Sequence, residues 1–272
     1  MGLITVRYPV IHPGIPRKLD GKKAAVLADL HNSGLSEAHG DLVAALKREN
    51  PDCILVAGDM ITAMTRVRPR RFAYREAEYL LRLLAARWPI YYENGNHESR
   101  WALESGAAGR LYERYHERLA AAGIHFLENT SAYLAEEPDG SVRVTGLDLP
   151  QEYFQKLRVP RLTAAQIEAL AGPRDPDSFQ ILLAHSPQFF PAYMNWGADL
   201  VLSGHFHGGI IRLPGLGGVI STSLHLFPRY DHGVYRCGAQ QMIVSSGLGN
   251  HTIDIRINNP EELVILEFKR GG

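Results

Sequence analysis

The sequence predicts a mixed α/β chain: a four-layer α/β/β/α sandwich with two mixed sheets and outer helices. Two observations carry that expectation. Short apolar runs alternate with amphipathic segments through the first third of the chain, and strand patterns dominate the second half. Regular β-α-β-α-β order calls for parallel strands with right-handed crossovers. A strand-rich half with few helices calls for a second sheet packed on the first rather than one doubly wound sheet.

The elements follow in order. Residues 1–23 form an N-terminal edge strand and lead-in. Ala24–Asp29 (AAVLAD) reads as a buried strand ending in polar loop residues. Asp41–Glu49 carries Leu42, Ala45 and Leu46 on one face, so it reads as a helix stopped by Asn50-Pro51. Cys53–Ala57 (CILVA) is a second buried strand, Tyr74–Arg87 an amphipathic helix and Pro89–Glu93 a third strand. Gly109–Ala122 repeats Leu111, Tyr115 and Leu119 at helical spacing. Further strands are expected at Ile124–Leu127, Ser131–Leu134, Ser141–Gly146, Phe179–Ala184, Asp199–Ser203, Gly208–Leu213, Gln241–Ser245 and Glu262–Phe268. Thr163–Leu170 and Gln188–Tyr193 are the helices between them. No repeat or Ser/Gly-rich linker divides the 272 residues, so one domain over 1–272 is expected.

Composition excludes several classes. Lys plus Arg and Asp plus Glu both total 29, so no global field favours nucleic acid or an anionic membrane. Cys53 and Cys237 are too few for a disulfide framework, and Cys53 in its apolar run reads as a buried, reduced thiol. The first residues lack a signal-peptide core and the hydroxyl residue of a myristoylation pattern, and no apolar run reaches ~18 residues. The expectation is a cytoplasmic protein with no transmembrane segment. Peripheral membrane contact and oligomeric state stay open.

Polar residues gather where the buried strands end: Asp29-Leu30-His31, Gly58-Asp59, Gly95-Asn96-His97-Glu98, His185 and Gly204-His205-Phe206-His207-Gly208-Gly209. In open α/β sheets that edge is the ligand site. Singly, each Asp could be a cap or turn residue and His185 a hydrogen-bonded core histidine. Together, Asp29, His31, Asp59, Asn96, His185, His205 and His207 offer O and N donors suited to Mn, Fe, Zn or Co. One zinc needs three or four ligands, whereas seven suit two metals sharing a carboxylate. Strand periodicity would put Asp29 with His31, and His205 with His207, on the same side of an extended segment. The glycines at 58, 95, 204, 208 and 209 would relieve crowding there.

These five motifs, in this order, resemble those of the calcineurin-like metallophosphoesterases over roughly residues 24–209. Leu19-Asp20-Gly21, Ile211-Arg212-Leu213-Pro214, Ser246-Gly247-Leu248-Gly249, Ile255-Arg256 and Pro260-Glu261 are similar to a bacterial branch of predicted phosphohydrolases. That branch includes enzymes cleaving the pyrophosphate of UDP-diacylglucosamine. It usually carries Thr for Phe206, Gln for Ile210 and a second Asp for Leu149 after Asp148.

The resemblance implies two divalent or mixed-valence metal ions, manganese among the candidates. Asp29, His31 and His207 would bind one, Asn96, His185 and His205 the other, with Asp59 bridging. It implies hydrolysis of a phosphate ester or pyrophosphate by in-line attack of a metal-bridging hydroxide, with His97 on a phosphate oxygen or serving as general acid. A catalytically weak metal-binding scaffold and a lipid or UDP-sugar pyrophosphatase are the alternatives.

Around this set, Glu98 reads as a capping or supporting group, and Arg100 as a candidate contact to a small phosphorylated substrate, with plain solvation favoured. Arg66, Arg68, Arg70 and Arg71 read as a solvated loop or a positive rim. Phe189, Phe190, Tyr193, Trp196, Leu224, Leu226 and Phe227 could line an apolar groove, and are more simply core. His225, Asp231, His232 and His251 are unassigned. His12, His39, His116 and His125 read as structural or solvated.

Overall fold

Alternation along the strands sorts the apolar side chains into three layers. The computed structural model describes residues 2–31, 37–63, 74–155, 159–209, 211–213, 217–220, 228–249 and 256–271. In chain order the strands are β1 (Ile4–His12), β2 (Lys23–Leu27), β3 (Cys53–Ala57), β4 (Ile90–Glu93), β5 (Ile124–Phe126), β6 (Ser131–Glu137), β7 (Gly140–Gly146), β8 (Ser178–Leu183), β9 (Leu200–Ser203), β10 (Ile211–Leu213), β11 (Gly217–Ile220), β12 (Gly233–Cys237), β13 (Gln240–Val244) and β14 (Glu262–Arg270). The helices are α1 (Glu37–Glu49), α2 (Arg75–Ala85), α3 (Asn96–Ala102), α4 (Gly106–Ala121), α5 (Ala164–Ala171) and α6 (Phe190–Trp196).

Two six-stranded sheets form, in the orders β1-β14-β2-β3-β4-β5 and β12-β13-β9-β8-β7-β6, beside a small β10-β11 pair. As expected, β2 to β5 run parallel. The last strand, β14, returns antiparallel to β2 and pairs in parallel with edge strand β1. In the second sheet β7, β8, β9 and β13 are parallel, with β6 and β12 antiparallel at its edges. Both sheets are therefore mixed.

Successive residues of a strand face opposite ways. Ala25, Leu27, Ile54 and Val56 pack on Leu46 of α1, Leu81 of α2 and Tyr115 of α4. Their neighbours Ala24, Val26, Leu55 and Ala57 meet Val144, Ile181, Leu183, Leu202 and Ile243 between the sheets. Leu182, Val201 and Met242 face α5 and α6. The four layers follow directly, and the strand ends of both sheets meet at one edge.

Some expectations shift. Helix α3 falls where the sequence suggested a loop, because Asn-His-Glu-Ser has no apolar period to announce it. The Gly95 N–H donates to Glu98 at 3.1 Å and starts this helix. Strand β12 is half-exposed at a sheet edge and so lacks clean alternation. Gly208–Leu213 shortens to β10, since Gly208 and Gly209 turn at φ 66° and 85°. Phe189, Phe190, Tyr193 and Trp196 are core. Leu224, Leu226 and Phe227 lie outside the described residues, as do Arg66, Arg68, Arg70, Arg71, His225, His251 and Ile210. Cys53 is half-buried rather than buried, and burial still pushes its thiol up to about 12. No helix among the described residues is long and apolar enough to cross a membrane.

Candidate metal centre

Six strand ends build the site, three from each sheet. From the first come Asp29 after β2, Asp59 after β3 and Asn96 after β4. From the second come His185 after β8, His205 and His207 after β9, and the Ser245–Gly249 turn after β13. Backbone bonds lock these turns together. Asp29 N–H donates to Gly58 O at 3.0 Å, His31 N–H to Asp59 O at 3.1 Å and Leu248 N–H to Ala28 O at 3.0 Å.

The side chains do not converge through strand periodicity. Asp29 (φ 53°), His31 (49°), Asp59 (55°), His205 (74°) and His207 (51°) all lie in the left-handed region. The chain coils at each of these residues instead of running extended. Such a backbone is uncommon outside glycine and persists where surrounding bonds over-determine it. Two glycines make room. A Cβ on Gly95 would run into Asp59 Oδ1, and one on Gly204 into Asp29 Oδ2.

Among the described residues three donor groups result: Asp29, His31 and His207; Asp59, His185 and His205; and His31, Asp59 and His97. Within each, the ligand atoms lie within 4.8 Å of one another. His31 and His207 stack at 11°, with their Nε2 atoms 3.0 Å apart. Asp59 Oδ2 is 3.8 Å from His31 Nε2 and 3.0 Å from His185 Nε2. Asp29 Oδ1 is 3.4 Å from His207 Nε2. His205 N–H donates to both Asp29 oxygens, and His97 N–H to Asp59 Oδ1 at 2.8 Å.

Backbone partners decide the histidine protons. A carbonyl only accepts, so Nδ1 of His185 donates to Ala57 O at 2.8 Å, and Nδ1 of His207 to Gly249 O at 3.1 Å. Their Nε2 atoms then carry lone pairs when the rings are neutral, the form a metal ligand needs. His97 is set the opposite way. Ala63 N–H donates to its Nδ1 at 3.0 Å, so the proton of neutral His97 sits on Nε2.

This chemistry fits divalent cations. Asp29 and Asp59 are buried, and among the described residues no Lys or Arg ion-pairs with either. Asn96 Oδ1 is a buried acceptor without a hydrogen-bond partner among the described residues. Burial pushes the Asp29 carboxyl up to about 7 against the pull of His185. Burial also opposes charge on Asp59, but His185, His97 and His31 around it win and hold it well below the usual carboxylate range. Two buried carboxylates facing lone-pair nitrogens call for positive charge between them.

Comparison with known proteins decides the family. The calcineurin-like phosphoesterase sequence model matches residues 22–209. The chain belongs to the calcineurin-like phosphoesterase family. It is a hydrolase acting on phosphate esters, of a metal-dependent family. It is 26% identical over 268 residues to the uncharacterized metallophosphoesterase YkuE of Bacillus subtilis, covering 97% of this chain and 85% of that one. It is 26% identical over 248 residues to the phosphodiesterase YaeI of Escherichia coli, covering 90% and 82%. It spans 61% of the length of longer metallophosphoesterases from Helicobacter pylori and Campylobacter jejuni. In fold it resembles the protein TT1561 of Thermus thermophilus, with a TM-score of 0.50 at 14% identity, covering 84% and 90% of the two chains.

Other residues of this phosphoesterase fall into place around the centre. Glu98, fully buried, accepts from Asp59 N–H, Ile61 N–H, Gly95 N–H and the Tyr92 hydroxyl. It caps α3 and clamps the Asp59 turn at once. Arg100 is exposed on α3, with no polar contact among the described residues joining it to the centre. His232 bonds Glu262, and Asp231 accepts from Tyr235 and Gly218. His12 and His116 are half-buried against Phe179 and Phe126, and His125 is exposed and stacks on Tyr91.

Two supports escaped sequence reasoning. Asn94 donates to Glu128 and Asp148, and Asp148 also accepts from Ser99, bracing the start of α3. Phe154 sits with its ring 5.8 Å from His205 and walls that side of the site. Neither carries a local signal, because each gains its role from a distant segment.

Proposed function

We propose that this phosphoesterase works with two divalent cations. Asp29, His31 and His207 would hold one, Asn96, His185 and His205 the other, with Asp59 shared. The observation behind this is Asp59 Oδ2, which faces His31 of one group and His185 of the other. When bound, such a pair supplies positive charge to a phosphoryl group and acidifies water.

The chain's own residues do the rest. Asp59 and Asp29 set the net charge of the pocket, and two carboxylates against two divalent cations leave it positive for an anionic substrate. His97 offers Nε2–H to a phosphoryl oxygen, or as the proton for the leaving oxygen. Its Nδ1 bond to Ala63 keeps that proton on the correct nitrogen. Arg100 is a lesser candidate for a substrate phosphate. Monoesters, diesters and pyrophosphates all fit this chemistry. The name of YaeI supports testing a diester first. The reading treats the chain as one domain, and two free cysteines suit a reducing, cytoplasmic setting.

The test is metal content and turnover together. Protein loaded with Mn²⁺ should bind two ions per chain and hydrolyse one or more of an aryl monoester, a bis-aryl diester and a UDP-linked pyrophosphate. Asp59→Asn should lose metal and cut turnover by at least about a hundredfold. An Asp59→Asn protein with two ions and full turnover would refute the assignment.

A further inference from the structure

We propose that Arg256 and Asn259, outside the 22–209 stretch matched by the family, are positioning residues for His207 and so for one of the two metal sites. The inference rests on the two-metal reading above.

His207 needs holding at two places. Its backbone sits at φ 51°, a conformation that persists only when its surroundings enforce it. Its ring must present Nε2 toward Asp29 and His31, which depends on the Nδ1–H bond to Gly249 O. Arg256 controls that carbonyl. Its Nη2 donates to Gly249 O, while its Nη1 donates to Ser246 O at 2.9 Å and to Pro260 O. One planar guanidinium therefore ties both ends of the 246–249 turn, and the fork reaches carbonyls that a single ammonium cannot span.

Asn259 holds the backbone. It is fully buried, and its Nδ2 donates to His207 O and to Gly209 O. Space for it exists because residue 208 is glycine. A Cβ there would lie 2.7 Å from Asn259 Oδ1. Ring and backbone of His207 are thus fixed from one short segment that leads into β14. Residues orienting a ligand this way typically matter about 10- to 100-fold in metal affinity. The other group, with His185 held by Ala57 O, does not use this segment.

The test is Mn²⁺ binding by calorimetry and equilibrium dialysis on the full chain: wild type, Arg256→Lys, Arg256→Met, Asn259→Asp and, as a reference, His207→Ala. Asn259→Asp keeps the shape but turns a donor pair into an acceptor against two carbonyls. In the wild type two ions should bind. In the Arg256 and Asn259 variants one event should keep its affinity, and the other should weaken about tenfold or more. The weakened event should be the one that His207→Ala removes. Wild-type affinity for both ions in Arg256→Met and Asn259→Asp overturns the proposal, as does equal weakening of both events, which marks general loosening. Arg256→Lys, which keeps charge and bulk, guards against variants that do not fold. A wild type that binds fewer than two ions fails at an earlier point, in the two-metal reading itself.

Discussion

Glu98→Gln isolates a buried carboxylate shared by the start of α3, the Asp59 turn and strand β4. Its Oε2 accepts from Asp59 N–H at 3.0 Å and Gly95 N–H at 3.1 Å. Its Oε1 accepts from Ile61 N–H at 3.2 Å and the Tyr92 hydroxyl at 2.7 Å. Glutamine keeps the shape but makes one oxygen an NH₂, which cannot accept from these donors. With NH₂ in place of Oε2, two backbone N–H groups are stranded. With NH₂ in place of Oε1, the Tyr92 hydroxyl can rotate and accept, leaving only the Ile61 N–H, so this orientation is preferred. One stranded buried donor costs about 1–3 kcal/mol. Urea unfolding of the metal-free protein reads this directly. At a slope of about 2 kcal/mol/M the midpoint should fall by roughly 0.5–1.5 M. An unchanged midpoint would show that the Glu98 clamp carries no net stability.

Three more predictions follow from the same geometry. His97→Gln should cut turnover by about 10²–10⁴ while metal content stays at the wild-type value, and loss of an ion would make His97 a ligand instead of a donor. Gly95→Ala should drive a Cβ into Asp59 Oδ1 and cost about 1–3 kcal/mol, read as a lower thermal midpoint; an unshifted midpoint counts against the close packing. Burial opposes charge on Glu262, but the His232 contact and the Ser246 hydrogen bonds outweigh it and hold its carboxyl below the ordinary value. A depressed carboxyl adds stability above its unfolded value, ~4.3, and loses it as pH falls through the folded value. Glu262→Gln should therefore cost more stability at pH 6 than at pH 3.5, and an equal cost at both would exclude an ionised Glu262 in the folded protein.

Much of this protein was legible residue by residue. Buried strands announced themselves as apolar runs, and five of them run into Asp, Asn or His. That pattern singles out Asp29, His31, Asp59, Asn96, His97, His185, His205 and His207 as candidates, and the structure brings all of them except Asn96 into the donor groups. Strand periodicity is not what makes them converge. Period-two alternation assumes extended chain, but Asp29 and His31 turn left-handed because their N–H groups bond to Gly58 and Asp59 on the neighbouring strand end. Helix α3 was missed for a related reason. Its start depends on a buried Glu98 whose other donors come from β4 and the Asp59 turn. Half-exposed β12 was missed because an edge strand need not alternate.

The layer order and the donor inventory are properties of the sequence itself, since burial periodicity and side-chain chemistry are both written locally. Which ring nitrogen faces the centre is not. His185 takes its orientation from Ala57, 128 positions away, and His207 from Gly249, 42 positions away. Arg256 and Asn259 act on His207 from the far end of the chain. A carbonyl can orient an imidazole only when the fold brings it within about 3 Å. Proton placement, which leaves Nε2 of neutral His185 and His207 with a lone pair and that of neutral His97 with a proton, is therefore decided where the two sheets meet.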